Sequence, residues 1–418
     1  MIKKKLVVIS SIVFMYSSSF ALVNNNRYLP LQNRPFSRAN SRVSFDSLFM
    51  TASRAYNDNE KEVHLPQLCI AKSGSDDICY DLNKLGNALT LVGKTNPLRT
   101  EFIGTKIPWK IEGKLQAQGV ACSYEQQVTD KISLGFFSTF LHVFSRHDFI
   151  FDTGNTGFLF KAPGDIQELE ETRRLMHKQL GLEDAQFDKF GIGDTDFFIR
   201  IGNVWDYKLK FRSINAGISL GAVFPSGQNI DDTSAPSIPF GSGGHWGCYI
   251  TLDSDFELKE DMHVQTTLSL SNYFKKKQTM RLSVAGEHPA YGALLAPVDV
   301  DPGVFFEWKT YFVLKSLRKG LGVRVGYVLN VHEEDSFQDL RSESEKNALP
   351  ISFLNKVKLS GWASDYISLH VFYNFDEIEH EQLIEPTIAF SWDIPVQQVV
   401  AYNVAKTHKI SLAVEFNF

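Results

Sequence analysis

Apolar and polar residues alternate one by one along much of this chain, in segments of roughly ten residues. In 109–118, the sequence WKIEGKLQAQ places Trp109, Ile111 and Leu115 on one face of an extended strand and charged or amide side chains on the other. The same alternation recurs at 304–312, 321–331, 367–375 and 410–418. A period of two residues predicts β-strands, each with one apolar and one polar face.

The spacing of these segments predicts how the strands are joined. We predict strands at 43–52, 107–122, 131–145, 194–205, 210–224, 245–256, 262–274, 303–315, 320–332, 360–376, 383–393 and 407–418. Short connections between them alternate with long ones, and the long ones are 53–106, 146–193, 225–244, 275–302 and 333–359.

Two folds have strands with this alternation, and the connections distinguish them. A soluble β-sandwich also alternates apolar and polar residues, but its connections need not alternate in length. A transmembrane barrel has short periplasmic turns at one end and long outer loops at the other. The sequence therefore predicts an all-β fold, a single transmembrane antiparallel β-barrel of about 12 strands, within about 10 to 14. An even strand count places both termini on the periplasmic side.

The first 21 residues have the features of a secretory signal peptide. Three lysines at 3–5 precede an apolar, serine-rich run, and Ser19 and Ala21 supply the small residues that a signal peptidase reads. A membrane-anchoring helix is the alternative, but the run is short and polar residues follow it at 24–26. We therefore expect a signal peptide at 1–21, an N-terminal periplasmic segment at 22–42 and the barrel with its loops at 43–418.

The last strand, HKISLAVEFNF, alternates strictly and ends in an aromatic residue. It resembles the final strand of Gram-negative outer-membrane β-barrels, which alternates, ends in Phe and is read by the machinery that inserts barrels. The resemblance implies that Phe416 and Phe418 form an assembly signal and that the barrel-assembly machinery is a partner. It also implies that the exported protein lies in the lipid of the bacterial outer membrane. It specifies a class of protein and no substrate.

Two further segments, GIGDTDFFIRIGNVW and GISLGAVFPSG, resemble a narrower group of barrels. These are the barrels related to the long-chain fatty acid transporter and to aromatic-hydrocarbon uptake channels, which have a Gly-x-Gly-Asp strand and a later Pro-Ser/Thr-Gly loop. The matching residues are Gly191, Gly193, Asp194, Pro225, Ser226 and Gly227. Generic turn chemistry also favours glycine and proline at such places. No motif in 22–42 matches the N-terminal hatch of that group.

One long connection has helix signals. Within 146–193, Asp165 precedes Glu168 as in a helix N-terminus, and Ile166, Leu169 and Met176 follow at helical spacing. We predict a helical insertion at 165–181. It either folds into the barrel mouth as a constriction or caps the outer rim, and the first long loop is likewise a lid, a plug or a partner-binding surface.

Charge and cysteine content limit the function further. Three of the 43 basic residues precede the cleavage site, so 40 remain against 48 acidic residues, and an acidic chain is a poor candidate for binding nucleic acid. Four cysteines in an exported protein allow one or two disulfides. Cys69 and Cys79 flank a short polar segment and are a plausible pair. Cys122 and Cys248 lie in predicted strands as small apolar residues.

The polar faces of the predicted strands carry charges of both signs. The pore-lining candidates are Lys110, Glu112, Lys114, Gln116, Arg200, Asp253, Asp255, Glu307, Lys309, Arg324 and His370. If basic and acidic side chains line opposite walls, they produce an electric field across a water-filled pore. Alternatively, the charges pair across the lumen and fill it. We favour a passive diffusion channel for small solutes, with hydrophobic-ligand uptake or a non-conducting structural or surface-display barrel as alternatives.

An enzymatic function has little support in the sequence. No Gly-x-Ser-x-Gly motif surrounds a serine at a turn between a strand and a helix. No Cys/His spacing indicates a structural zinc site, and neither a metal nor a cofactor is expected. The chain is therefore expected not to be an enzyme.

Overall fold

In a computed structural model, twelve antiparallel strands close into a single β-barrel. The described residues are 27–29, 41–69, 80–151, 164–182, 185–207, 211–284, 292–351, 353–375 and 385–418. The expected signal peptide at 1–21 and Cys79 of the suggested disulfide lie outside the described residues. Cys122 and Cys248 have free thiols.

The predicted all-β class and the strand count are confirmed. In chain order the barrel strands are β1 (Ser41–Ala52), β2 (Pro108–Thr129), β3 (Ile132–Phe151), β4 (Thr195–Asp206), β5 (Ser213–Phe224), β6 (Gly247–Lys259), β7 (Met262–Tyr273), β8 (Phe305–Arg318), β9 (Leu321–His332), β10 (Trp362–Asn374), β11 (Glu385–Val396) and β12 (His408–Asn417). β2 and β3 are longer than predicted. The turns between them, β6 and β7, and β8 and β9 each comprise two residues.

Every barrel strand pairs with the next one in sequence, and the last pairs with the first. At this seam Phe45 of β1 lies opposite Val414 of β12 on one side and Cys122 of β2 on the other. Closing the sheet in this way leaves no barrel strand with an open edge. In hydrocarbon, where no water can satisfy a backbone N–H or C=O, such closure is required of any sheet.

The outer face of the barrel is an apolar belt. Residues of alternate parity point outwards and expose large apolar side chains, among them Phe45, Phe49, Phe140, Phe197, Ile199, Leu252, Val325, Phe390 and Leu412. A contiguous exposed belt of this size is destabilising in water and suits lipid. The barrel is therefore of the transmembrane type. Among the described residues, no helix has the length and apolar character needed to cross a membrane.

The belt ends sharply on the outer face of the β2–β3 hairpin. Val120 lies opposite Phe140, and one step further along this face Gln118 lies opposite His142. From there to residue 110 the outer face of β2 is polar. This half of the hairpin continues past the belt. It does so at the end of the barrel that carries the long connections, and we call that end of the barrel the long-loop end.

The long connections contain short elements that stack on the long-loop end. The helices are α1 (Leu82–Leu91), α2 (Asp165–Leu180), α3 (Glu343–Ala348) and α4 (Leu354–Ser360), with 3-10 turns at Leu65–Cys69 and Thr100–Phe102. Arg54–Tyr56, Glu62–His64 and Val404–Ala405 form one small sheet, and Lys276–Leu282, Leu294–Asp301 and Ser336–Asp339 form another. Tyr80–Asp81 pairs with β2, and Gln186–Ile192 pairs with β3.

Apolar side chains fill the interior at the long-loop end. One cluster joins Leu29, Leu48 and Met50 to the 3-10 turn residue Leu68 and to Phe240 of the connection after β5. A second cluster packs α1 and α2 against the inner face of β2. The loops therefore cover this end of the barrel from inside.

Deletion of Phe418 is expected to lower the amount of barrel inserted in the membrane and to leave export across the inner membrane intact. Phe418 is 50% exposed beside the end of β12, and its N–H donates to the Ser41 carbonyl at 3.0 Å. Heat-dependent migration of the membrane fraction on a gel measures the folded barrel. Phe418→Tyr, which keeps the aromatic ring, is the matched control. Normal membrane levels of the deletion variant would show that the terminal ring is not an assembly signal.

Candidate functional site

The lumen of the barrel contains a cavity of about 160 Å³, which we call the lumen cavity. Its wall is formed by charged, hydroxyl and aromatic side chains of strands on all sides of the barrel. Leu48, Ala121 and Phe137 border it and also belong to, or pack against, the apolar cluster at the long-loop end. The lumen cavity is thus a polar space closed on one side by apolar side chains.

The charged side chains of the lumen are arranged as close pairs of opposite sign. The pairs are Arg42 with Glu125 at 3.2 Å, Arg200 with Asp253 at 2.6 Å, Lys309 with Glu307 at 2.7 Å and Lys409 with Asp393 at 2.8 Å. The Asp255 carboxylate is hydrogen-bonded to His263 Nδ1 at 3.0 Å. Each pair offsets the cost of removing its charges from water. The charges are therefore paired, but along the wall between residues of the same or nearby strands, and they do not fill the lumen, where a cavity remains.

Glycines make room for one of these buried pairs, Arg200 with Asp253. The Arg200 guanidinium makes two bonds to the Asp253 carboxylate through Nε and Nη2, and Nη2 also donates to Asn215 at 3.2 Å. A methyl group at Gly202 or Gly217 would overlap the guanidinium. Two positions on neighbouring strands therefore need to be glycine for Arg200 to lie flat against the wall.

Seven of the predicted pore-lining residues lie on the inner face. Arg200, Asp253, Glu307, Lys309 and His370 border the lumen cavity, Asp255 is hydrogen-bonded to His263, and Arg324 lies within 5.8 Å of the Tyr311 and Phe372 ring centroids. His370 Nε2 is 2.8 Å from the Ser368 hydroxyl.

The other four predicted lining residues, Lys110, Glu112, Lys114 and Gln116, were assigned to the wrong face of β2. Trp109, Ile111 and Leu115 alternate with them and are buried inside the barrel. The physical reason is that this part of β2 lies beyond the apolar belt, where water contacts the outer face and the loops cover the inner one. On both sides of that boundary apolar and polar residues alternate with a period of two. Within the belt the apolar side chains face outwards, whereas beyond it they face inwards.

Helix α2 packs against the inner face of β2 at the long-loop end, and none of its described residues borders the lumen cavity. Its buried residues Leu169, Met176 and Leu180 pack with α1 and Trp109, and Arg173 lies 3.7 Å from the Phe149 ring centroid. The predicted bounds are close to those observed, but the N-cap is Gly164 and not Asp165. Gly181 ends the helix in the left-handed conformation, with φ 74°.

The two glycine-containing motifs of the sequence meet at one point on the barrel wall. The Asp194 carboxylate accepts the N–H of Gly227 at 3.0 Å and the N–H of Ser242 at 2.6 Å. The Ser226 hydroxyl donates to the Gly193 carbonyl at 2.9 Å. Burial raises the pKa of Asp194, although the two N–H groups act in the opposite direction. We call this arrangement the Asp194 clasp, because it holds both ends of the connection after β5 to the start of β4.

A second, larger cavity of about 580 Å³ lies among the loops, and we call it the vestibule. Its lining includes Asn229, Gly241, His245 and Lys276, with Asp335 from another loop. His245 Nδ1 is 3.0 Å from the Phe274 carbonyl oxygen, and burial lowers the pKa of this histidine. The vestibule is polar and carries side chains of both charges.

Residues 238–242 separate the two cavities, and we call them the barrier segment. Pro239 and Gly241 line the vestibule, whereas Ile238 and Phe240 belong to the apolar interior cluster. Phe240 packs edge to face on Phe187, with ring centroids 6.3 Å apart. Ser242, the last residue of the segment, is the one bound by Asp194.

Sequence reasoning missed two of the lumen pairs. Neither Arg42–Glu125 nor Lys409–Asp393 was among the pore-lining candidates. Parity alone could have found Lys409, which falls on the polar face of the last strand. Its partner Asp393 lies on the preceding strand, but the register that places the two side chains opposite each other is not encoded in either strand alone.

Comparisons with known proteins bear on the fold. No protein-family profile matches the chain, and no curated protein matches it. An outer-membrane channel from Pseudomonas putida F1 is 10% identical over 93% of this chain and 99% of that chain, with a TM-score of 0.47. A FadL homologue of Pseudomonas aeruginosa is 10% identical over 90% of this chain and 89% of that chain, with a TM-score of 0.31. The β-domain of the Bordetella autotransporter BrkA is 7% identical over 90% of this chain and all of that chain (100%), with a TM-score of 0.31. These likenesses concern the barrel architecture alone.

Replacing Arg200 by Leu is expected to lower the free energy of unfolding by about 3 kcal/mol, because Asp253 is left buried without its counter-ion. The double variant Arg200→Leu with Asp253→Leu should recover most of the loss, since no charge then remains. Arg318→Leu, at an exposed arginine, is the control. Chemical unfolding in detergent measures all three. A double variant that is less stable than Arg200→Leu would contradict this account.

Acidification is expected to loosen α2. Burial, chiefly, and the nearby Arg173 lower the pKa of His177 to about 3. When α2 opens, the imidazole regains a pKa of ~6.5, so the open state binds a proton that the closed state rejects. Stability of the closed state should therefore be complete above about pH 6.5 and fall as the pH decreases towards 3. Hydrogen exchange of α2 amides at pH 7 and pH 5 measures the opening.

The variant His177→Gln, neutral at every pH, should lose this dependence, whereas His142→Gln, at a 40% exposed side chain on β3, should keep it. If both variants opened at acid pH as the native chain does, another group would be responsible.

Proposed function

We propose that this chain is a transport barrel of a bacterial outer membrane that admits small polar solutes and is closed in this structure by its own loops. The observation that carries the proposal is the succession of a vestibule, an apolar cluster and a lumen cavity along one barrel, with charged side chains in the walls of both cavities. A solute that crosses the barrier segment passes from one polar environment to another.

The chemistry of the walls favours polar solutes over hydrocarbons. Arg200, Lys309 and Asp393 border the lumen cavity, and a hydrophobic ligand gains nothing from displacing water from ionised groups. Because the charges are paired, the lumen offers both donors and acceptors without a strong net field. This arrangement suits passive diffusion of small solutes more than strict selection by charge.

The barrier segment is the part of the molecule best suited to open. It belongs to a loop, and its two large side chains, Ile238 and Phe240, are inserted between strands that are themselves fixed by the barrel. Movement of this segment would remove part of the apolar cluster between the cavities, whereas opening through the wall would break backbone hydrogen bonds in lipid. The outer-membrane lipid and the barrel-assembly machinery remain the proposed partners.

The variant Ile238→Ala with Phe240→Ala is expected to increase conductance in planar bilayers several-fold over the native chain and to speed the swelling of liposomes in small sugars. Removing both side chains leaves a gap in the barrier without touching a barrel strand. Ile230→Ala, at an exposed residue of the same loop that lines the vestibule, is the matched control and should behave as the native chain does. If neither the native chain nor the double variant passes ions or sugars, the barrel is a structural one and the proposal fails.

A further inference from the structure

One inner-face carboxylate, unlike those of the pairs described above, has no hydrogen-bond partner among the described residues. Asp196, the second residue of β4, is 1% exposed, and no donor among the described residues reaches either of its carboxylate oxygens. Its cross-strand neighbours in the same row are Phe137 of β3 and Val223 of β5, neither of which has a polar side-chain atom. The row therefore surrounds a carboxylate with apolar side chains.

The charged groups around this row do not compensate Asp196. Asp194, two residues before it, has the same sign and is already satisfied by the Gly227 and Ser242 N–H groups. Arg200, the next inner-face residue of β4 after Phe198, donates a hydrogen bond to the Asp253 carboxylate. On the vestibule side the nearest ionisable groups are His245 and Lys276, which lie beyond the clasp.

Asp196 itself borders neither cavity, but its cross-strand neighbour Phe137 borders the lumen cavity. Ser242, bound to Asp194, lines the vestibule. Tyr249, whose ring fills the space above Gly221, interacts electrostatically with Asp196 and borders the lumen cavity. Asp194 and Asp196, two residues apart, are thus flanked by one residue that lines the vestibule and by others that line the lumen cavity.

We propose that Asp196, with Asp194 beside it, is a binding station for a monovalent cation. A buried carboxylate with no donor needs a positive charge or a proton. A proton satisfies it incompletely, because the oxygen that stays unprotonated still has no donor among the described residues. A cation contacts both oxygens at once. The part of the chain that the structure describes contains no group of three or more His, Cys, Asp or Glu residues that could hold a metal, so a multiply charged ion is not favoured.

The shared chemistry of the ligand is a single positive charge of small size, and an alkali ion and a protonated primary amine both provide it. The station rests on the proposed function only for its role in passage, because binding itself is independent of conduction. In a conducting barrel, an uncompensated carboxylate beside the barrier would make the barrel prefer cations over anions.

Thermal unfolding of the full barrel in detergent tests binding directly. Choline chloride, whose cation is bulky, is replaced at constant ionic strength by potassium chloride in one arm and by methylammonium chloride in the other. The native chain should unfold at a higher temperature in at least one arm, because a ligand that binds the folded state alone stabilises it. The arm that gives the rise identifies the source of the charge.

The variant Asp196→Asn, nearly identical in shape, should lose the rise, and Asp196→Glu should retain part of it. Asp206→Asn, at the exposed end of the same strand, is the matched control and should keep the full rise. No rise in the native chain, or an equal rise in Asp196→Asn, would overturn the station.

Reversal potentials in planar bilayers under a potassium chloride gradient test its role in passage. Asp196→Asn should shift the potential towards that of an unselective pore, and an unshifted potential would overturn the role of Asp196 in selection. If no variant conducts but Asp196→Asn still abolishes the thermal response, the transport function fails and the binding station stands.

Discussion

Closure of the backbone hydrogen bonds is the constraint on which the rest of this structure depends. In hydrocarbon a strand cannot leave its N–H and C=O groups to water, so the first strand must find the last one. The seam between β1 and β12 meets this requirement through a regular register over the length of both strands. Once the sheet is closed, every strand has one face towards lipid and one towards the lumen. The side chains on each face must therefore suit a different environment.

The two faces are satisfied in different ways. The outer face needs only apolar side chains, and neighbouring residues there do not have to match. The inner face contains charges removed from bulk water, and each of these must have a partner at a defined distance. The lumen is accordingly built from specific pairs such as Arg200 with Asp253 and Lys409 with Asp393, and glycine occurs where a guanidinium lies flat on the wall. Asp196 is the exception, because its carboxylate has no such partner among the described residues.

The loops use the closed barrel as a rigid support. Beyond the apolar belt, the inner face of β2 continues as an apolar surface, and α1, α2 and the barrier segment pack inside the barrel end. The Asp194 clasp fixes this packing to the wall through backbone N–H groups, so its geometry does not depend on flexible side chains of the loop. The loops therefore close this end of the barrel without replacing any pairing between barrel strands.

The sequence by itself determined the class of fold, the number of strands and the face of each strand within the belt, because period-two alternation is a local property of the chain. It also indicated α2, and its two glycine-containing motifs turned out to touch. Only the tertiary structure decided that 110–116 turn their polar face outwards, since the boundary of the belt depends on where neighbouring strands and loops lie. The partners of Lys409 and Arg42 and the isolation of Asp196 were likewise decided there. The order of the barrel strands follows the sequence, but the register of neighbouring strands and the positions of the loops arise from contacts that no local pattern encodes.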